Sequence, residues 1–472
     1  METIFALCSA PGKAGVAVIR VSGPEAWDAT RRLCGTLPYP RQMAVRVVRN
    51  KQGSALDEAL IVCFEKERSF TGEDICEFHL HGSTAVISAV LTELSQNSSL
   101  KSAEPGEFTR QALENGRLDL AQVEGLADLI DAETEMQRRQ AQRVLAGAIG
   151  DSAKIWREDL IRAACLLEAT IDFVDEDVPV DVMPEVSDLL KRTMQSLQSE
   201  VAGVGIAERL RDGFEVVIVG PPNVGKSTLL NALAGREAAI TSQYAGTTRD
   251  VVEVQMDLNG LPVVIIDTAG IRETNDPIEK LGIERAVKRA QQADIRVFLC
   301  EADVVLGIDR HIGDIQVVPK SDLKTIDIAD TGSIGAVSGL TGEGVETLMS
   351  QVASELKSRY RVVGCLSRDR HKAAATAAMG HLERVRAKSE AIEHDNAAEE
   401  VRAAKKQQAK EVYLEHKNRL KELKLSSKQR AKLLTQRLQK EATQKLNTSP
   451  TKIDNSTKNR RNKKAAKKPL LM

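Results

Sequence analysis

Aliphatic and β-branched residues crowd positions 15–21 and 59–64, as in half-buried strands, whereas residues 83–94 set Val86, Val90, Leu91 and Leu94 at helical spacing. Residues 1–117 are therefore expected to form a strand-rich α/β domain. From 118 to 212 the pattern changes to long stretches with few breakers, notably 121–149 and 152–171, which predicts the first part of a helical domain. Gly213 opens a third region, 213–359, in which apolar runs at 216–219, 263–267 and 315–318 alternate with helical segments. That alternation predicts a mainly parallel sheet covered by helices, with its site at the carboxyl ends of the strands. Residues 367–404 are helical again, within the returning part of the helical domain, 360–404. Beyond 405 the chain is rich in Lys, Arg and Gln; Leu420, Leu423, Leu434 and Leu438 fit one side of a basic helix, and the stretch after 446 lacks the apolar content for a core.

Composition adds two constraints. The 472-residue chain is 42% hydrophobic but only 3% aromatic, so its cores must be aliphatic. Its net charge of −1 hides an asymmetry: residues 401–472 hold 22 Lys and Arg against 5 Asp and Glu, which leaves 44 against 62 elsewhere. An acidic globular body thus carries a basic tail. The seven cysteines are scattered without a C-x-x-C, so buried free thiols in a reducing cytoplasm are expected rather than a zinc site or disulfides. The first residues lack a basic n-region, and no stretch approaches a membrane span. Asp172, Asp175, Glu176 and Asp177 invite a metal reading but have no His or Cys partners; a solvated helix end is expected.

The densest chemistry lies in Gly220-Pro221-Pro222-Asn223-Val224-Gly225-Lys226-Ser227, a G-x-x-x-x-G-K-S loop between a strand-like run and a helix-like one. Its backbone N–H groups can wrap phosphate oxygens, Lys226 adds a point charge, and Ser227 offers a hydroxyl to Mg2+. Three further segments follow in the order a GTPase needs. Gly246-Thr247-Thr248-Arg249-Asp250 offers Thr248 to the same magnesium. Asp267-Thr268-Ala269-Gly270 ends a buried strand, with Asp267 toward the metal's water shell and the Gly270 N–H toward a terminal phosphate. Pro319-Lys320-Ser321-Asp322 stands where guanine is read: the Asp322 carboxylate can accept from both N1–H and the exocyclic amine. Ser338-Gly339-Leu340 offers a backbone N–H to the guanine oxygen. The nucleotide contacts expected are Asn223, Val224, Gly225, Lys226, Ser227, Thr228, Ser242, Gln243, Tyr244, Ala245, Gly246, Thr247, Thr248, Asp267, Thr268, Ala269, Gly270, Lys320, Asp322, Ser338, Gly339 and Leu340, with GTP as the ligand.

The segments LLNALAGREAAI, AGTTRDVV, IIDTAGIRE and IEKLGIERA, with APGKAGVAVIRVSGP, SFTGEDICEFHLHG and PGEFTRQALENGRLDLAQVEGLADLIDA before them, closely resemble the tRNA modification GTPases of the MnmE (TrmE) family, from about Ile4 to Arg402. The resemblance implies an N-terminal α/β domain that dimerises and binds a formyl-tetrahydrofolate-type one-carbon donor, and a helical domain into which a P-loop G domain is inserted. It implies a homodimer, a heterotetramer with the FAD protein MnmG, and tRNA as substrate, with an aminomethyl or carboxymethylaminomethyl group added to the wobble uridine. It carries over folate contacts to Arg20, Glu77 and Arg117, the last standing where the family usually has lysine. The position after Asp-x-x-Gly is Ile271, which cannot orient water, so the resemblance passes that role to Glu279, acting through a bridging water. It also implies a potassium ion at the transition state, held by Asn223, Ser242, Tyr244 and Thr247.

Two rival readings remain at this point. A ribosome-assembly or RNA-chaperone GTPase would use the basic tail but leaves the blocks before Gly213 unexplained. A folate-binding scaffold with a vestigial G domain conflicts with intact Lys226, Ser227, Thr248 and Asp267. The family's C-terminal Cys-x-Gly-Lys is not found after Arg402; a frameshift or rearrangement is the favoured explanation, an RNA-binding arm the other, and poor wobble-uridine modification with retained GTP hydrolysis is the expectation. Pro319 also replaces the usual asparagine, whose side-chain amide ties the base-reading loop to the phosphate loop; proline has neither that donor nor an N–H. Pro319→Asn is expected to tighten GDP binding by about 1–3 kcal/mol, read by titration with a fluorescent analogue; no gain means the loop is held by other bonds.

Overall fold

In a computed structural model, the structure describes residues 2–172, 182–236, 238–240, 253–267, 287–300, 310–323, 335–359, 364–394 and 414. The expected contacts from Ser242 to Thr248 and from Thr268 to Gly270, Glu279, three acids of the cluster (Asp175, Glu176, Asp177) and the leucine side of the basic tail lie outside them.

The N-terminal sheet is built from β1 (Thr3–Leu7), β2 (Ala14–Ser22), β3 (Met43–Arg49), β4 (Ala55–Phe64), β5 (Ile75–Gly82) and β6 (Leu100–Ser102), in the order β3-β4-β5-β2-β1-β6. Three helices accompany it: α1 (Ala26–Cys34), α2 (Thr84–Ser95) and α3 (Glu107–Glu114). Strand alternation sorts its two faces. Ile19, Val21, Ile61, Cys63, Cys76, Phe78 and Leu80 form one core with Ala29 and Leu33 of α1 and Val90 and Leu94 of α2. Met43, Val45 and Val47 of the edge strand β3, with Leu60 opposite Val45, are exposed.

The helical segments are α4 (Leu120–Ile130), α5 (Glu135–Leu145), α6 (Ala148–Asp172) and α7 (Met183–Asp212). The single helix expected over 121–149 is two, and the reason is local. Thr134 and Gln137 form a capping box that starts a new helix, as Asp119 and Gln122 do for α4. Both boxes read in hindsight as a Thr or Asp three residues before Gln.

The second sheet joins β7 (Phe214–Val219), β8 (Glu253–Leu258), β9 (Leu261–Asp267), β10 (Ile295–Leu299), β11 (Ile315–Pro319) and β12 (Gly335–Val337) in the order β12-β11-β10-β7-β9-β8. Five strands are parallel and the edge strand β8 is antiparallel to β9. Val216 and Ile218 pack toward α8 (Lys226–Ala234) and α9 (Val345–Arg359), while Val217 and Val219 pack on the other face with Ala290 and Phe298. Such two-sided burial explains the near-continuous apolar runs of the sequence.

The chain leaving this sheet returns to the helices that precede it. Glu200 Oε2 of α7 accepts from the N–H groups of Cys365 and Leu366, and Gln140 of α5 donates to the Gly364 carbonyl. Arg370, on α10 (Asp369–His394), grips Glu124 of α4 through two bonds of 3.0 and 2.7 Å, and Arg368 pairs with Asp128. Cys365 precedes α10. All seven cysteines are free, but Cys8 and Cys165 are exposed and Cys34 is half-buried, so only Cys63, Cys76, Cys300 and Cys365 are the buried thiols expected. The chain divides into two compact units, one of residues 1–161 and 187–384 and another of 162–186 and 385–472. Among the described residues no helix is long and apolar enough to cross a membrane.

The Glu124 carboxyl is held below its ordinary value: burial pushes it up, but the Arg370 hydrogen bond and the charges of Arg370, His371 and Arg368 outweigh that. A lowered folded value means this contribution is present above the unfolded carboxylate range and is lost as pH falls through the folded value. Arg370→Gln should therefore destabilise by up to about 1 kcal/mol at neutral pH, the pair being partly exposed, and by less near pH 4. Thermal melts at the two pH values check this; an equal loss at both would show that the pair acts by packing alone.

Candidate functional site

Parallel pairing of β7 with β9 sets Ile218 level with Asp267, so the loop after β7 and the end of β9 open on the same side of the sheet. The Ser227 hydroxyl, at the start of α8, donates to Asp267 Oδ2 at 2.6 Å. Oδ1 of the same carboxylate is buried with no hydrogen-bond partner among the described residues. A hydroxyl and a carboxylate oxygen converging, with one buried acceptor unsatisfied, is an oxygen donor set suited to a hard divalent cation. Lys226 is 8% exposed and donates to the carbonyls of Gly220 and Pro221 at 2.9 and 3.0 Å. Burial pushes its ammonium down from the ordinary value, and the charge of Asp267 opposes that.

The loop geometry follows from its residues. Gly225, which caps α8, sits at φ 108°, and Asn223 at φ 60° takes a conformation that asparagine tolerates better than most. The N–H groups of α8's first turn therefore face the loop, as anion binding requires.

A cavity of about 260 Å³ lies beside this loop. It brings Val224, Gly225 and Thr228 together with Lys320, Asp322, Ser338, Gly339 and Leu340, all expected from the sequence, and adds Leu229, Leu299, Pro319, Leu323 and Val337. Gly339 approaches α8 so closely that a Cβ there would stand 2.6 Å from the Leu229 nitrogen. The Ser338 hydroxyl accepts from the N–H groups of Leu340 and Thr341, each at 3.2 Å, which shapes the turn. The Ser321 hydroxyl donates to Glu343 Oε2 at 2.9 Å, and the Ser321 N–H to the Val337 carbonyl at 3.3 Å. These bonds fasten the 319–323 loop to its neighbour at the place where Pro319 offers no donor. Lys320, next to Pro319 and two residues before Asp322, sits at φ 60°, a strained position for a long side chain.

In the N-terminal sheet, Arg20 of β2 and Glu77 of β5 are register partners joined at 2.7 and 2.9 Å. The Arg20 guanidinium also lies over the rings of Phe70 and Phe108, 5.2 and 5.5 Å from their centroids. The hydroxyls of Ser22 and Thr71 are 2.7 Å apart, and Ser22 donates to Gln111, which holds the Phe70 loop and α3 in place. Arg117 reaches the same loop, its side chain packing beside Gly72. His79 Nε2 lies 3.4 Å from Glu77 Oε2. The two phenylalanines were not anticipated; their signal was scarcity, since the chain has only 8 Phe and three of them, Phe70, Phe78 and Phe108, stand in SFTGEDICEF and PGEFTRQ.

Residues 3–117 match the family described as GTP-binding protein TrmE N-terminus, and residues 120–412 match the MnmE helical domain, past the Arg402 at which the resemblance was expected to fade. Curated relatives named tRNA modification GTPase MnmE include that of Roseobacter denitrificans, 57% identical over 81% of this chain and 88% of the relative. That of Cereibacter sphaeroides is 58% identical over 82% and 89%, and that of a Ruegeria species 55% identical over 86% and 94%. Among solved structures, Aquifex aeolicus Era bound to GDP and aluminium fluoride is 27% identical over 30% of this chain and 56% of that one, at a TM-score of 0.23. With both family matches and relatives of this identity over most of its length, the chain belongs to the MnmE (TrmE) family.

Proposed function

We propose that this chain is a GTP-hydrolysing tRNA modification protein. The observation that carries the reading is the convergence of the 220–227 loop with the 319–323 and 338–340 loops around one cavity, with Ser227 bonded to Asp267, in a chain 57% identical to a tRNA modification GTPase. The domains proposed are an N-terminal domain to 117, a helical domain over 118–212 and 360–404, a G domain over 213–359, and a basic tail from 405.

In the nucleotide site, Lys226 exchanges the Gly220 and Pro221 carbonyls for phosphate oxygens, and the loop N–H groups neutralise the rest. Ser227 and Thr248 would hold Mg2+, with Asp267 toward its water shell, and the metal would neutralise charge on the phosphates. Asp322 selects guanine over adenine. Glu279 polarises the attacking water, since Ile271 has no polar group. Asn223 with Ser242, Tyr244 and Thr247 would hold potassium, which would supply positive charge in place of an arginine.

In the N-terminal domain, Arg20, Glu77 and Arg117 bind the formyl-tetrahydrofolate-type donor. A guanidinium between two aromatic rings suits a planar heterocycle, and paired opposite charges suit its ring donors and acidic tail. The exposed apolar stripe of Met43, Val45 and Val47 on the edge strand β3, with Leu60 beside it on β4, supports a homodimer, because such a face and edge invite a second copy. With MnmG, in the cytoplasm, the dimer places an aminomethyl or carboxymethylaminomethyl group on the wobble uridine of certain tRNAs.

Hydrolysis of GTP by the purified chain should be at least about 10²-fold faster in potassium than in sodium, a cation at this point being worth up to about 10³–10⁵. Glu279→Ala should slow it about 10²-fold or more with GDP affinity kept. Equal rates in the two salts, or loss of GDP binding in the variant, would contradict these roles. Mass spectrometry of tRNA incubated with the chain, MnmG and cofactors tests the modification: a new wobble-uridine adduct supports it and overturns the expectation of poor modification, whereas hydrolysis without one removes the chain from that reaction.

A further inference from the structure

Cys63 of β4 and Cys76 of β5 are register partners across an antiparallel ladder, with their sulfurs 3.2 Å apart. Their backbone groups face away from each other. The Cys63 carbonyl accepts from the Arg41 N–H, on the β3 side of β4. The Asp74 carbonyl accepts from the Gly23 N–H on the β2 side of β5, and Cys76, two residues on, points the same way. The two cysteines therefore form a non-hydrogen-bonded pair, in which Cα atoms approach to about 4.5 Å. A disulfide spans about 4.4–6.8 Å between Cα atoms, so closing the bond requires little backbone movement. Both residues are in the core beneath α1, at 1% and 0% exposure.

We propose that Cys63 and Cys76 are a redox-convertible dithiol, closed to a disulfide by hydrogen peroxide or a comparably small two-electron oxidant. The two thiols differ in the way such a reaction uses. The hydrogen bond from Cys76 holds the Cys63 thiol below its ordinary value, with burial opposing and the Arg31 charge assisting, whereas the same bond and burial push Cys76 up. The Cys63 thiolate attacks peroxide; an S–O bond forms, the O–O bond breaks, and the proton released from sulfur leaves with hydroxide as water. The Cys76 sulfur then attacks the sulfenic sulfur; the S–S bond forms, the S–O bond breaks, and the Cys76 proton leaves with that hydroxide as a second water. Two thiols and one peroxide give one disulfide and two waters. Isolated buried thiols are inert; this pair differs because its resolving partner is already in contact. The product would join β4 to β5 directly behind Glu77, on the opposite face of the sheet from the Arg20–Glu77 pair.

The full-length chain treated with hydrogen peroxide, acid-quenched, denatured, alkylated with N-ethylmaleimide and digested for mass spectrometry tests this. The expected result is a peptide pair linked through Cys63 and Cys76, lighter by two hydrogens than its parts, unalkylated at both positions and released by dithiothreitol. Because Cys63→Ser disturbs the core, the supporting variant is Cys8→Ser with Cys165→Ser, both exposed in the parent, and it should give the same linked pair. Recovery of Cys63 and Cys76 as alkylated thiols once Cys8 and Cys165 have been oxidised in the parent would overturn the proposal, as would their linkage only to other cysteines.

Discussion

The parallel register of β7 on β9 is the constraint from which the nucleotide site follows. It sets Ile218 beside Asp267, so that the loop leaving β7 must pass the carboxylate that ends β9. Ser227 can then reach Asp267 at 2.6 Å, which fixes the start of α8 and turns its first N–H groups toward the loop. Antiparallel pairing at this point would send the two strand ends to opposite sides of the sheet. The apolar runs on both faces make the register costly to shift, because a slip of one residue would exchange Val216 and Ile218 with Val217 and Val219 between two different cores.

That sheet is held inside the chain by polar contacts rather than by a shared apolar core alone. Segment 364–371 is fastened to α4, α5 and α7 through Arg368, Arg370, Gln140 and Glu200. A further bond joins the Met136 N–H, in the first turn of α5, to the carbonyl of Gly260 at the β8–β9 turn. The β8–β9 hairpin lies between the two segments, 241–252 and 268–286, that contain Thr248 and Glu279. Its turn, tied to α5, lies at the end of β9 away from Asp267, so β9 itself spans from the helical segments to the nucleotide side of the sheet.

Much of this was legible before any coordinates. The 220–227 loop needs particular residues at particular positions for backbone reasons, so its sequence and its conformation are nearly the same statement, with Gly225 at φ 108° and Asn223 at φ 60°. Strands of the second sheet were readable because burial on both faces leaves continuous apolar runs. The break between α4 and α5 was not read, since helical periodicity continues across it and only the Thr134–Gln137 box marks the restart. Pairings between distant segments were also hidden: nothing local to Ser321 points to Glu343, nor to Arg20 points to Phe70, because both depend on strand order. Burial of thiols was overestimated for Cys8 and Cys165, where composition sets an average and position decides the case.

In the proposed site, the cavity beside the 220–227 loop holds guanine against Asp322. Guanine presents two donors to that carboxylate, whereas xanthine presents one donor and one carbonyl, the complement of an asparagine amide. Asp322→Asn should lose about a hundredfold or more in GDP affinity, as expected for two hydrogen bonds to a charged acceptor, and should gain affinity for xanthosine diphosphate. Competition titrations of the two nucleotides against a fluorescent reporter measure both. An exchange of preference is the predicted result; unchanged GDP affinity with no xanthosine binding would contradict the placement of the base.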